Sequence, residues 1–263
     1  MSLYKMKTAN LSRWLCTAAA ALCIALLTGC SVGTSTTGAG KGLVLVAGAT
    51  GGTGRALVKG LGDQGYQVRA FVRDEKKARV VLGDDIGYAV GDVREIDSIS
   101  AALDDVDYII SAIGSSPSDK SNNPEAVDYG GTKNLADAAA GTGVKQMVLV
   151  SSSGATQEDH FLNKAFDNVL IWKFKGEEAL RASGVPYTVV RPGGLVNRPG
   201  GEFTVVFAQG DTTTGIISRE DVALICIAAL QNPAALNKTF ETFSSDVEGE
   251  NNWPSLFGAL EAD

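Results

Sequence analysis

A glycine-rich turn near residue 50 carries the clearest chemical signal in the sequence. Gly48, Gly51 and Gly54 recur within the segment GATGGTG, after an apolar run that predicts a strand and before a pattern that predicts a helix. In such a turn one glycine makes the bend, one admits a pyrophosphate and one lets the helix pack on the strand. Because the helix offers free N–H groups to phosphates, we predict a phosphate site formed by Gly48, Thr50, Gly51, Gly52, Thr53, Gly54 and Arg55. A strand-to-helix turn that binds no ligand is the alternative.

The end of the second predicted strand indicates which dinucleotide this turn accepts. An acidic residue there binds the ribose 2′-hydroxyl of NAD, whereas a basic residue accommodates the 2′-phosphate of NADP. Arg73 is the first polar residue after the strand, and Arg55 follows the last glycine of the turn. Guanidinium forks match phosphate oxygens, so we predict that NADP(H) is preferred over NAD(H). A solvated Arg73, or an Asp74 that takes the 2′-hydroxyl, is the alternative.

Short apolar runs alternate with helical patterns through the body of the chain. The runs are nearly continuous and rich in β-branched residues, which is typical of strands buried on both faces of a parallel sheet. The alternation predicts an α/β fold, a single-domain Rossmann-type doubly wound parallel sheet. Predicted strands cover 43–48, 68–72, 86–90, 106–113, 146–152, 187–192 and 239–243, and predicted helices cover 53–63, 97–103, 126–141, 170–183 and 219–230.

Composition narrows the possible functions. Of 263 residues, 44% are hydrophobic, which excludes wholesale disorder. A net charge of −7 argues against a nucleic-acid partner. Three of the four cysteines lie in the first 30 residues, which leaves Cys226 alone in the body. We therefore predict no metal site.

The N-terminus has the layout of an export signal. Lys5, Lys7 and Arg13 precede an uncharged stretch over 14–28, which is shorter than the roughly 20 residues of a membrane-spanning helix. The stretch ends in Leu-Thr-Gly-Cys, which resembles a bacterial lipobox and predicts lipidation at Cys30.

This reading divides the chain into a signal peptide (1–29), a flexible tether (30–41) and a nucleotide-binding domain (42–263). It predicts an outer-membrane lipoprotein that faces the periplasm and touches the membrane only through its lipid anchor. An uncleaved anchor, or a start at Met6, is the alternative, and the protein is cytoplasmic if the signal is not used.

An ordered set of motifs resembles the atypical short-chain dehydrogenases/reductases, in the NAD(P)H-binding group that includes plastid Tic62-like proteins. The set runs from about 43 to 243. Its members are GATGGTGR (48–55), FVRD (71–74), GD (91–92), VDYGGTKN (127–134), SSSG (151–154), WKFKGEEAL (172–180), VPYTVVRPGGL (185–195) and ISREDVA (217–223).

The resemblance implies further cofactor contacts. Asp92 and Val93 are expected to border the adenine, and Ala112 and Gly114 to line the cofactor after the fourth strand. The turn Pro192-Gly193-Gly194 is expected to approach the nicotinamide, and segments 156–168 and 197–214 to flank a substrate pocket.

Typical members of the family carry a serine and a Tyr-x-x-x-Lys pair on one helix face. The lysine lowers the pKa of the tyrosine, which exchanges a proton with the substrate. Lys175 fits the lysine position and Ser152 or Ser153 the serine position, but Ile171 stands where the tyrosine is expected. We therefore expect Lys175 to bind the nicotinamide-side ribose, and water, His160 or Lys175 to supply the proton.

Three functions are compatible with these features. The first is an NADPH-dependent reductase of an unidentified small molecule. The second is a non-catalytic NADP-binding redox sensor, or a scaffold for a protein partner. The third is a lipoprotein with a vestigial nucleotide fold.

Overall fold

The computed structural model describes residues 40–116 and 120–263. The predicted signal peptide, Cys30 and residues 31–39 of the predicted tether lie outside these described residues. The strands of the described part are β1 (Leu43–Ala47), β2 (Gln67–Val72), β3 (Gly87–Val90), β4 (Tyr108–Ser111), β5 (Gln146–Val150), β6 (Tyr187–Pro192), β7 (Gly194–Val196), β8 (Phe203–Ala208), β9 (Ile216–Ser218) and β10 (Lys238–Glu248).

Eight of the described strands form one sheet in the order β3-β2-β1-β4-β5-β6-β10-β8. Neighbours are parallel except β8, which runs antiparallel to β10. In the central register Val44 lies between Val68 and Tyr108. The predicted doubly wound parallel sheet is confirmed, and its strand order reverses at β1, where such sheets open a crevice at their carboxyl ends.

Helices cover both faces of the sheet. In the described part they are α1 (Gly52–Asp63), α2 (Glu75–Leu82), α3 (Ile96–Ala102), α4 (Thr132–Ala139), α5 (Phe161–Ala165), α6 (Val169–Ala182), α7 (Arg219–Ala229) and α8 (Trp253–Gly258). A π-helical turn, Glu125–Gly131, leads into α4. None of these described helices has the length and apolar character needed to cross a bilayer.

The central strands β1, β4 and β5 are largely apolar because successive residues point to opposite faces that are both buried. On β1, Val44 and Val46 join the core on one face, whereas Leu45 and Ala47 join the core on the other. Cys226 on α7 belongs to the first of these cores and is fully buried, and this burial raises the pKa of its thiol to about 12.

A buried ion cluster links α6 to β6, to β10 and to the residue that follows β5. Arg191 is 5% exposed, and its Nη2 lies 2.6 Å from Glu177 Oε2 on α6 while its Nη1 lies 3.1 Å from Glu241 Oε1 on β10. Glu177 also accepts a hydrogen bond of 2.6 Å from the Ser151 hydroxyl. Burial raises the pKa of Glu241, against the lowering effect of its donors. The cluster therefore ties one helix to two strands and to the residue that follows a third.

We expect Arg191→Met to lower the free energy of unfolding by about 3–5 kcal/mol, because it leaves the buried Glu241 without its cation and Glu177 with Arg181 alone. The control is Arg79→Met, which breaks ion pairs to Glu75 and Asp84 at the surface of α2 and should cost less than about 1 kcal/mol. Urea unfolding with an unchanged m-value measures both changes. Equal losses in the two variants would contradict a structural role for the cluster.

Candidate functional site

A cleft of about 230 Å³ opens at the carboxyl ends of β1, β2 and β4. The predicted binding residues in its wall are Gly48, Thr50, Gly51, Arg73, Asp92, Val93, Ala112 and Gly114. Asn122 and Val127 also line it, although no pattern in the sequence points to them. They come from the segment after β4, which folds back over the sheet edge. The structure thus brings together residues from five separate segments.

The glycine turn is crowded by backbone. Gly48 has φ +78°, and a Cβ on it would lie 2.5 Å from the carbonyl oxygen of Ala112 beyond β4. A Cβ on Gly54 would collide with the carbonyl oxygen of Gly48. Since any side chain at these two positions meets main-chain atoms, only glycine lets α1 begin this close to the strand ends.

The N-terminus of α1 is free to bind an anion. Its N-cap, Gly51, provides no side-chain hydrogen bond, and the first turn contains no acidic residue. The first N–H groups of a helix have no partner within the helix and carry its positive dipole end. Together with the room that Gly48 and Gly51 leave, this arrangement fits a dinucleotide pyrophosphate. Of the other predicted turn residues, Thr53 and Gly54 are buried, while Gly52 and Arg55 line a second cleft.

Charged side chains mark the adenosine end of the cleft. Arg73 is exposed at the wall, whereas Asp74 caps α2 by accepting a hydrogen bond from the Lys77 N–H. That hydrogen bond lowers the pKa of Asp74. Asp92 is paired with Arg94 at 2.6 Å, and the hydrogen bond from the Arg94 guanidinium lowers the pKa of Asp92.

A small cavity of about 10 Å³ lies beyond Ile113, which lines both this cavity and the cleft. Its polar wall includes Asp128, Ser151 and Lys173. Lys173 Nζ lies 2.7 Å from Oδ1 of the fully buried Asp128, whose Oδ2 accepts a hydrogen bond of 3.1 Å from the Ser115 N–H. The volume is close to the minimum for one water molecule, about 10–15 Å³.

The π-helical turn and α6 pack closely enough to hold this pair. Gly176 lies one turn after Lys173 on α6, and a Cβ on it would stand 2.5 Å from the Asp128 carbonyl oxygen. A π-helical turn within a helix is often found at a functional site. Here it places Asp128 where the lysine can reach it.

The structure does not bring Lys175 to the cleft. Its side chain is exposed, with Nζ 4.2 Å from the centroid of the Trp172 ring. Two residues along a helix amount to a rotation of about 200°, so Lys173 faces the sheet while Lys175 faces away from it. The structure therefore places Lys173, rather than the predicted Lys175, on the buried face of α6.

The other predicted polar residues make local contacts. The Ser152 hydroxyl donates to the carbonyl of Ser153 at 3.0 Å, so the buried hydroxyl beside Lys173 is that of Ser151. His160 Nδ1 accepts from the Leu162 N–H and caps α5.

The turn Pro192-Gly193-Gly194 lies outside the wall of the cleft but next to the end of β5. The Ser153 N–H donates to the Pro192 carbonyl at 3.0 Å, and the Gly194 N–H donates to the Gly215 carbonyl at 2.9 Å. Asp211 fastens the loop that follows β5, because its carboxylate accepts hydrogen bonds from the N–H groups of Gly154 and Thr156. The turn and the loop after β5 are therefore both fixed by hydrogen bonds from their backbone N–H groups.

Comparisons with known proteins agree with this geometry. Residues 48–233 match a family described as NAD(P)H-binding. Sanguinarine reductase of Eschscholzia californica is 36% identical over 82% of this chain and 94% of its own length. Protein TIC 62 of Pisum sativum is 38% identical over 73% of this chain but only 40% of its own length.

Among solved structures, a Bacillus halodurans protein assigned to the NAD-dependent epimerases/dehydratases superposes with a TM-score of 0.72 and 27% identity. The match covers 83% of this chain and 100% of that protein. The span of the family match and the identity to these relatives show that the chain belongs to the NAD(P)H-binding family of atypical short-chain dehydrogenases/reductases.

Proposed function

We propose that the protein is an NADP(H)-dependent oxidoreductase that acts on a small molecule without the usual catalytic tyrosine. The observation that carries the proposal is the cleft at the uncapped N-terminus of α1, with Arg73 in its wall. The similarity to sanguinarine reductase supports a reductive reaction. When bound, a nicotinamide cofactor supplies or accepts a hydride, while the chain binds it, orients it and handles the proton.

Two features support a preference for NADP(H). Arg73 forms no ion pair or hydrogen bond with any other described residue, so its guanidinium fork is available to a phosphate at the cleft wall. Asp74, the residue that would favour NAD(H), uses its carboxylate to cap α2 and to pair with Lys77 at 3.2 Å.

We expect Arg73→Glu to weaken NADPH binding about tenfold or more and to leave NADH binding within twofold, because a charge-assisted hydrogen bond contributes about 1.5–3 kcal/mol. The matched control is Lys76→Glu, which makes the same charge change at an exposed position nearby that does not line the cleft. Fluorescence titration of both nucleotides at one ionic strength measures the effect. Equal affinity of the parent protein for NADPH and NADH would reject the assignment.

Lys173 takes the role first expected of Lys175. It is held by Asp128 at the small cavity beyond Ile113, which Ser151 also lines. The ammonium can donate to a ribose hydroxyl and, through the space of the small cavity, to a water molecule that carries a proton to substrate. Val169, four residues before Lys173, offers no such group. Asp128 fixes the direction of the ammonium through their ion pair of 2.7 Å.

We expect Lys173→Met to weaken NADPH binding about tenfold, the loss of one hydrogen bond to a charged group, and Lys175→Met to leave it within twofold. Both lysines lie on α6, so comparing the two variants distinguishes an effect at the inner face of the helix from one at its outer face. Lys173→Arg should retain most of the affinity. The double variant Asp128→Asn, Lys173→Met removes the unpaired buried carboxylate and shows whether a loss reflects folding. The same affinity in both single methionine variants would refute the role of Lys173.

A non-catalytic NADP(H) sensor is the second candidate, favoured by the apolar Val169 four residues before Lys173, where the Tyr-x-x-x-Lys spacing would place the tyrosine. The two candidates differ in turnover. Tight NADPH binding without NADPH oxidation, across a panel of quinones, aldehydes and iminium compounds, would favour the sensor.

Export and lipidation at Cys30 complete the proposal. If Cys30 is acylated, the mature protein should fractionate with membranes and need detergent for release, because several acyl chains give lasting attachment where one does not. Cys30→Ala should abolish labelling with a radioactive or clickable fatty acid, while Cys23→Ala should not. A protein recovered in the cytoplasm with residues 1–29 intact would overturn the proposal.

A further inference from the structure

A second cleft, of about 500 Å³, lies on the other side of the α1 N-terminus. Gly51 lines the first cleft and Gly52 the second, so the two meet at this helix end. The wall of the second cleft contains Arg55, Lys59, Arg198, Arg219 and a single acidic residue, Glu220.

The concentration of positive charge here is unusual for a chain of net charge −7. Lys59 is paired with Asp63 at 2.6 Å. Glu220 accepts a hydrogen bond of 3.0 Å from the Gly200 N–H. Within residues 40–116 and 120–263, none of the three arginines forms an ion pair. Like charges in one cleft repel each other, and an entering anion relieves that repulsion.

Two of the arginines are held in place before any ligand arrives. Arg219 Nη1 donates to Asn197 Oδ1 at 2.8 Å and to the Leu195 carbonyl at 3.3 Å. Its stem crosses Gly52, where a Cβ would lie 2.6 Å from Arg219 Cδ. The glycine at position 52 therefore leaves room for this arginine to lie over the helix end, and a larger residue would push it aside.

Arg198 is the second fixed arginine. Its guanidinium carbon lies 4.9 Å from the centroid of the Phe203 ring, a cation–π distance. Its Nε is buried and has no hydrogen-bond partner among the described residues. A buried donor left without a partner is costly, and Arg198 itself lines the cleft, where its guanidinium group can bind an oxyanion.

We propose that this second cleft binds the carboxylate or phosphate group of the substrate, and that it does so while the nucleotide occupies the first cleft. Planar guanidinium groups match both kinds of oxyanion. The segment 195–198 supplies both Arg198 and the acceptors that hold Arg219, and it follows directly on the Pro192-Gly193-Gly194 turn. The substrate assignment rests on the proposed function, whereas the anion site itself does not.

The test uses the full-length chain saturated with NADPH and titrated with citrate, then with inorganic phosphate, by isothermal calorimetry at constant ionic strength. We expect both anions to bind. Arg198→Met and Arg219→Met should each weaken citrate binding at least fivefold and leave NADPH binding within threefold. Arg55→Met removes the third arginine of this cleft at an exposed position on α1, where we expect no effect on folding. It therefore tests the cleft even if the Arg198 and Arg219 variants fail to fold. Arg79→Met, which removes an arginine on α2 outside the cleft, should change neither affinity.

Three results would overturn the proposal. They are no citrate or phosphate binding by the parent protein, binding that the Arg198 and Arg219 variants leave unchanged, and competition between citrate and NADPH. Competition would assign these arginines to the nucleotide site instead. If NADPH itself does not bind, the proposed function fails alone, and the same titration of the nucleotide-free chain still decides whether the anion site exists.

Discussion

The geometry of the site depends on the close backbone contact between the glycine turn and the ends of β1 and β4. Gly48 approaches the Ala112 carbonyl, and Gly54 approaches Gly48 itself, with no space for a Cβ at either position. This contact fixes where α1 begins and leaves its first N–H groups pointing away from the sheet. Both clefts are formed around that helix end, so their positions depend on two missing side chains.

Buried charged groups stabilise the part of the sheet formed by β6 and β10. Arg191, Glu177 and Glu241 lie beneath the loops that follow β5 and β6, at the point where a sheet core would ordinarily be apolar. The backbone N–H of Asp211 donates to Glu241 at 3.0 Å, and the carboxylate of Asp211 holds the loop after β5. A change at Arg191 therefore reaches the rim of the site through three hydrogen-bonded steps.

The sequence was sufficient for the seven parallel strands of the sheet, because most of them are buried on both faces and form continuous apolar runs. It missed β8, the antiparallel edge strand, which is only partly buried. The sequence did not predict elements whose residues show little apolar periodicity, or contacts between residues far apart in the chain. Helix α2 buries only Ala78, and the short pair β7–β9 has hardly any periodicity to detect. Lys175 was chosen in place of Lys173 because the sequence has no tyrosine to count from. Without it, the spacing does not show which of the two lysines lies on the inner face of α6. Lys173 is identified by Asp128, a residue 45 positions earlier in the chain, and such a distant pair is visible only after folding.

The buried thiol of Cys226 has a consequence for the chemistry that the domain tolerates. With its pKa raised to about 12, almost no thiolate exists at neutral pH, and the thiolate is the species that oxidants and alkylating agents attack. In the folded domain, oxidants and alkylating agents therefore find little thiolate to attack at Cys226. The thiol becomes reactive only when α7 separates from the sheet. The rate at which Cys226 is alkylated therefore measures the rate at which this part of the domain opens.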